Sequence, residues 1–88
     1  MLKRTFIIKN RLGLHARAAA QLVQTANQFG SELTLFKEDI EVNGKSIMGI
    51  LLLAAPKGTE ITVSVAGPDE EEAMQKISEL IEDGFGED

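Results

Sequence analysis

The chain has 88 residues, 43% of them apolar and 26% charged, with 14 acids against 9 lysines and arginines for a net charge of −5. That length fits one domain with a modest core, and the balanced composition argues against a disordered tail or a fibrous repeat. The absence of cysteine excludes disulfides and thiolate metal sites and favours a reducing, cytoplasmic setting, while a single histidine excludes a multi-histidine metal centre. Net acidity and only four aromatic residues, all Phe, argue against nucleic acid. The longest apolar run, Ile50 to Ala55, falls far short of the roughly 20 residues of a membrane span.

Leu2 to Lys9 contains the β-branched and aromatic cluster Thr5, Phe6, Ile7 and Ile8 and predicts a first strand, with a loop over Asn10 to Gly13. From Ala16 helix formers dominate, and Ala19, Leu22, Val23, Ala26 and Phe29 recur at helical spacing until Gly30 ends the segment. Leu33 and Leu35 alternate with Glu32 and Thr34 as a second strand, and Lys37-Glu38-Asp39 reads as a three-residue hairpin turn into a short third strand, Ile40 to Val42. Ser46 predicts the N-cap of a short apolar helix starting at Ile47, bounded by Pro56-Lys57-Gly58 and weakened by Gly49. Glu60 to Val65 alternates strictly, a fourth strand with one buried face. Asp69 and Glu72 predict an N-cap pair for a last helix with the stripe Ala73, Ile77, Leu80 and Ile81. The order β-α-β-β-α-β-α predicts an α+β fold in one domain over 1–88, a mostly antiparallel four-stranded sheet covered on one face by three helices.

The chemistry concentrates at His15, where a glycine-containing loop meets a helix. The first N–H groups of a helix lack intrahelical partners, and its positive end would hold an anion attached to the imidazole. Arg17, in the first turn, offers a guanidinium fork for phosphate oxygens or for charge in a phosphoryl-transfer transition state. Gly13 is expected to let a second protein approach closely. The plain alternatives are a polar cap for His15, a solvated Arg17 and a purely structural cap at Ser46. Ile47, Met48, Ile50, Leu51, Leu52 and Leu53 are too many for one buried stripe, so part of the set should form an exposed partner surface. Glu70-Glu71-Glu72 splay around their helix and serve as dipole-compensating surface rather than a metal cage, and no nucleophile elbow supports a hydrolase built on Ser46. No cofactor or metal site is expected. Residues 1–17 carry five basic side chains and no acid, whereas the last twenty carry nine acids against Lys76. That split predicts a positive face around His15 that steers acidic partners, with the acidic helix lying away from it.

Gly13-Leu14-His15-Ala16-Arg17 and, further along, Asn43-Gly44-Lys45-Ser46-Ile47-Met48-Gly49 closely resemble the two signatures of the histidine-containing phosphocarrier (HPr) family of the bacterial phosphotransferase system. The similarity runs over essentially the whole chain. It implies an open-faced β-sandwich that acts as a phosphoryl-transfer intermediate rather than a turnover enzyme. His15 would accept a phosphoryl group on Nδ1 from phospho-enzyme I, beside the charge-stabilising Arg17, and pass it to a histidine of an enzyme IIA. Ser46 would be the target of an ATP-dependent HPr kinase/phosphorylase, and the exposed parts of Ile47, Met48 and Leu51 would dock both partners on a cytoplasmic monomer. Ala18 stands where most sugar-transport members carry proline, and the stretch Gly49 to Ala55 also departs from that type, so sugar-transport and nitrogen-related branches both stay open. Two other classes of function remain: a regulatory module using the same apolar face without phosphotransfer, against which His15 and Arg17 speak, and a small-ligand domain, for which no polar-lined pocket is evident.

Overall fold

The computed structural model describes residues 1–86; Glu87 and Asp88, part of the acidic end counted above, lie outside the described residues. The elements are β1 (Leu2–Ile7), α1 (Ala16–Ala26), β2 (Glu32–Lys37), β3 (Ile40–Asn43), α2 (Ile47–Leu52), β4 (Glu60–Ala66) and α3 (Glu70–Glu82), followed by a 3₁₀ turn, Gly84–Gly86. The strands form one sheet in the order β1-β4-β2-β3 with every neighbouring pair antiparallel. The α+β, open-faced arrangement expected from the sequence is the one observed.

Period-two alternation decides which face each strand gives to the helices. Phe6, Leu33, Leu35, Ile61, Val63 and Val65 are buried on the helix side, while Lys3, Thr5, Thr34 and Phe36 belong to the open face. Ser64 is buried as well, because β4 is a central strand shielded by β1 and β2, so its alternation marks the inner face without leaving the outer one fully wet. On α1 the inner face is Ala18, Ala19, Leu22, Val23 and Ala26, and the helix packs against both α2 and α3. Ala18, outside the predicted stripe, has no exposed surface at all. Replacing fully buried Leu22 by Ala would cost about 2–5 kcal/mol.

Several boundaries move for identifiable reasons. β1 stops at Ile7 rather than Lys9. The hairpin turn holds two residues, not three, with Glu38 at φ 53° and Lys37 paired with Ile40. α1 ends at Ala26 rather than just before Gly30, because the chain beyond it is recruited by tertiary bonds. The Phe29 carbonyl accepts Lys45 Nζ at 2.8 Å, and the N–H groups of Gly30 and Ser31 donate to the Asp69 carboxylate at 2.9 and 3.0 Å.

Those last bonds overturn the predicted Asp69–Glu72 cap. Asp69 makes no side-chain cap of its own helix and instead clamps the start of β2, with the Ser31 hydroxyl as a third donor. That hydroxyl, then the Gly30 N–H, hold the Asp69 carboxyl below its ordinary range. The capping role shifts two residues upstream, where Glu70 Oε1 accepts the N–H of Gly67 at 3.1 Å and Glu70 N–H donates to the Gly67 carbonyl at 3.3 Å. Gly67 sits at φ 156°, and a Cβ there would lie 2.5 Å from Ser31 Oγ, so the clamp needs glycine.

Candidate functional site

His15 is the N-cap of α1, with extended backbone (φ −83°, ψ −178°) and a half-buried side chain. Its carbonyl accepts the first intrahelical bond, from Ala19 at 2.8 Å, and its own N–H donates to the Gly13 carbonyl at 2.9 Å. The loop before it is held from several directions. Buried Asn10 donates from Nδ2 to the Gly13 carbonyl at 2.7 Å, the Gly13 N–H returns to the Asn10 carbonyl at 3.1 Å, and the Leu14 N–H donates to the Ala55 carbonyl at 2.9 Å. Leu14 is itself buried in the core. The histidine therefore projects from a short segment pinned on both sides.

Gly13 serves this geometry and not a partner. It is buried at φ 68°, and a Cβ on it would meet the Ala55 oxygen at 2.4 Å and Pro56 Cα at 2.7 Å. The expectation of an incoming protein surface at Gly13 is thus corrected: the close neighbour is the chain leaving α2.

Arg17 is exposed in the first turn of α1, and neither α1 nor α2 carries an acid in its first turn, whereas α3 carries Glu70, Glu71 and Glu72 there. The positive end of α1 is left uncompensated by neighbouring carboxylates of its own turn.

Ser46 caps α2 as expected, its Oγ accepting the Gly49 N–H at 3.0 Å. α1 and α2 pack against each other in antiparallel sense, since the residue before Ser46, Lys45, reaches the chain after α1, and Ala55, beyond α2, meets the chain before α1. His15 and Ser46 therefore lie at opposite ends of the pair, separated along α2 by roughly 9 Å for its six residues. Ile50 and Leu53 turn into the core, while Ile47, Met48 and Leu51 are exposed, with Met48 at 70%. Leu52, also 70% exposed, adds to the apolar surface of α2, and Leu12 in the histidine loop is 62% exposed. A leucine alone in a loop has no periodicity, so Leu12 carries no signal in the sequence. Asn10 is in sequence a loop residue like any other, although its burial organises the turn.

The basic side chains of the amino-terminal segment do not form one cluster. Lys3 lies over the Phe36 ring on the open face; Arg4 donates to Ser78 Oγ at 3.0 Å and lies over Phe6; Lys9 pairs with Glu82 at 2.9 Å. That hydrogen bond from Lys9 holds the Glu82 carboxyl below its ordinary range. Arg11 and Arg17 remain exposed near His15. The acidic helix is not remote from this region as expected, for Glu82 reaches Lys9 and Gly84 lies against Asn10. Among the described residues no group of three or more acids or histidines is placed to hold a metal ion, and no helix is long and apolar enough to cross a membrane.

The family model for the PTS HPr component phosphorylation site matches residues 2–83. The phosphocarrier protein HPr of Xylella fastidiosa (strain 9a5c) is 56% identical over 88 residues, covering 100% of this chain and 99% of that protein. The crystal structure of HPr-C-His from Thermoanaerobacter tengcongensis aligns with a TM-score of 0.96 at 48% identity, covering 100% and 99% of the two chains. Crh of Bacillus subtilis, described as an intertwined, swapped dimer, aligns with a TM-score of 0.77 at 40% identity over 96% and 97%. With both signature segments on one sheet-and-helix framework and matches along its full length, the chain belongs to the HPr family of phosphotransferase-system phosphocarriers.

Proposed function

We propose that His15 is the phosphoryl acceptor, charged by phospho-enzyme I and discharged to a histidine of an enzyme IIA. The observation that carries this reading is the placement of the lone histidine as N-cap of a helix whose first turn holds Arg17 and no acid. In the transfer the lone pair of the His15 Nδ1 attacks phosphorus as the bond from phosphorus to the donor breaks, and the donor leaves with that electron pair. Arg17 and the N–H end of α1 offset the charge spread over the phosphoryl oxygens. The onward step is the same displacement with His15 as leaving group.

The exposed apolar surface of Ile47, Met48 and Leu51, with exposed Leu52 and Leu12, supports docking of both partners, and Arg11 with Arg17 supplies the positive rim. Ser46 fits a regulatory phosphorylation by a kinase of the HPr kinase/phosphorylase type, because α2 has no acid in its first turn and a phosphate of about −2 charge there would be favoured internally. Its effect falls on the partner, whose acidic docking surface it repels. We take the working form as a monomer; gel filtration at micromolar concentration tests this against the dimer described for Crh.

The experiment is incubation with enzyme I and phosphoenolpyruvate. Acid-labile phosphate on the parent and none on His15→Ala supports the carrier, while an unlabelled parent removes it. A Ser46→Asp variant charged as fast as the parent would end the regulatory part alone.

A further inference from the structure

We propose that Lys37 is a positioning residue for His15, acting through the end of α2; the functional weight of this inference rests on His15 being the phosphoryl acceptor. Lys37 closes β2 and is fixed in the sheet by its pairing with Ile40. Its ammonium crosses to the helix side and donates to the carbonyls of Leu53 at 2.9 Å and Ala54 at 3.2 Å. Carbonyls at a helix end have no intrahelical donor, and a cation there complements the negative end of the dipole.

The segment needs holding. Ala54 has φ 48°, the left-handed region that helix ends normally assign to glycine, so an alanine there works against the conformation it must keep. The very next carbonyl, that of Ala55, accepts the Leu14 N–H at 2.9 Å, and Gly13 lies so close to Ala55 and Pro56 that no methyl group fits between them. A continuous set of contacts thus runs from the Lys37 ammonium to the Leu53 and Ala54 carbonyls, to Ala55, to Leu14 and to the adjoining His15. Any relaxation of the strained turn is carried straight into the backbone that aims the imidazole. Lys37 touches none of the reacting atoms in this scheme; it fixes where they stand.

The test compares Lys37→Met, which keeps the aliphatic stem and loses the ammonium, with Lys37→Arg, which keeps donors. Two readouts are taken: the single-turnover rate of His15 phosphorylation by phospho-enzyme I, and the NMR resonances of the Leu14 amide and the His15 ring in unphosphorylated protein. Lys37→Met is expected to slow labelling about fivefold at saturating donor, as a misplaced nucleophile does. It should also shift the Leu14 and His15 resonances, and Lys37→Arg should restore both. In an Ala54→Gly background, where the turn is at rest, the same Lys37→Met change should cost less. The proposal is overturned if Lys37→Met lowers Tm yet leaves labelling and resonances as in the parent. Slowed labelling with unmoved resonances overturns it too, since Lys37 would then act through its charge alone. If the parent is not labelled at all, the acceptor reading falls, while the resonances still decide whether Lys37 positions His15.

Discussion

The first turns of α1 and α3 present the same backbone feature, a cluster of N–H groups at the positive end of a helix, and the sequence treats them in opposite ways. At α3 the chain supplies its own carboxylates: Glu70, Glu71 and Glu72 lie in the first turn, Glu70 takes the Gly67 N–H, and Asp69 binds Gly30 and Ser31. At α1 it supplies none, and places His15 and Arg17 there instead. The first turn of α3 is compensated by internal charge and that of α1 is not, which under the function proposed above leaves α1 suited to charge that arrives on a partner. A helix terminus is thus a local resource whose use is decided by which residues flank it.

Ranked by their effect on phosphoryl acceptance, the following changes break or sharpen that contrast. His15→Ala should abolish acid-labile labelling with circular dichroism unchanged. Arg17→Ala should slow labelling on the order of tenfold or more, since a charge-assisted contact to phosphoryl oxygens is lost. Ala16→Glu would give α1 the acid that α3 has; a dipole contribution of about 0.3–1 kcal/mol should raise Tm slightly while slowing labelling roughly two- to fivefold. If labelling does not fall, the uncompensated terminus plays no part. Arg11→Gln should lower the association rate with enzyme I in a salt-dependent manner, and more than Lys9→Gln, because Lys9 is already engaged by Glu82. Asp69→Asn should leave labelling untouched and act only on stability, through the clamp on Gly30 and Ser31. The Asp69 carboxyl is held below its ordinary value, chiefly by the Ser31 hydroxyl, so its contribution is complete above about pH 4 and disappears as pH falls through the lowered value. Thermal melts from pH 6 down to pH 2 should therefore show a shallower acid limb for Asp69→Asn, starting from a lower Tm.

The sequence carried much of this, unevenly. Element order, the inner stripes of α1 and α3 and the Ser46 cap were legible because periodicity and capping are local in the chain. The Asp69 reading failed because an acid near a helix start has two possible sets of donors, and only the fold brings Gly30 and Ser31 within reach. Gly13 reads in sequence as room for an incoming protein, because its true neighbour, the Ala55–Pro56 backbone, is some forty residues away and has no local signature. The five basic residues of positions 1–17 suggest one positive face because their count is visible in sequence, whereas the engagement of three of them with Phe36, Ser78 and Glu82 depends on strand register and on where α3 ends. Lys37 reads in sequence as part of a turn, since nothing local announces that it reaches the end of α2.

The loop that presents His15 is tied to Ala55, to Gly58 and Thr59 through Ile8, and to the last described turn through the Lys9–Glu82 pair and the contact of Gly84 with Asn10. A chain emerging from the ribosome has made its histidine long before it has made these partners. The geometry of the histidine loop is consequently a property of the folded chain: a segment near the amino terminus is held in place by residues that all follow it by some forty positions or more.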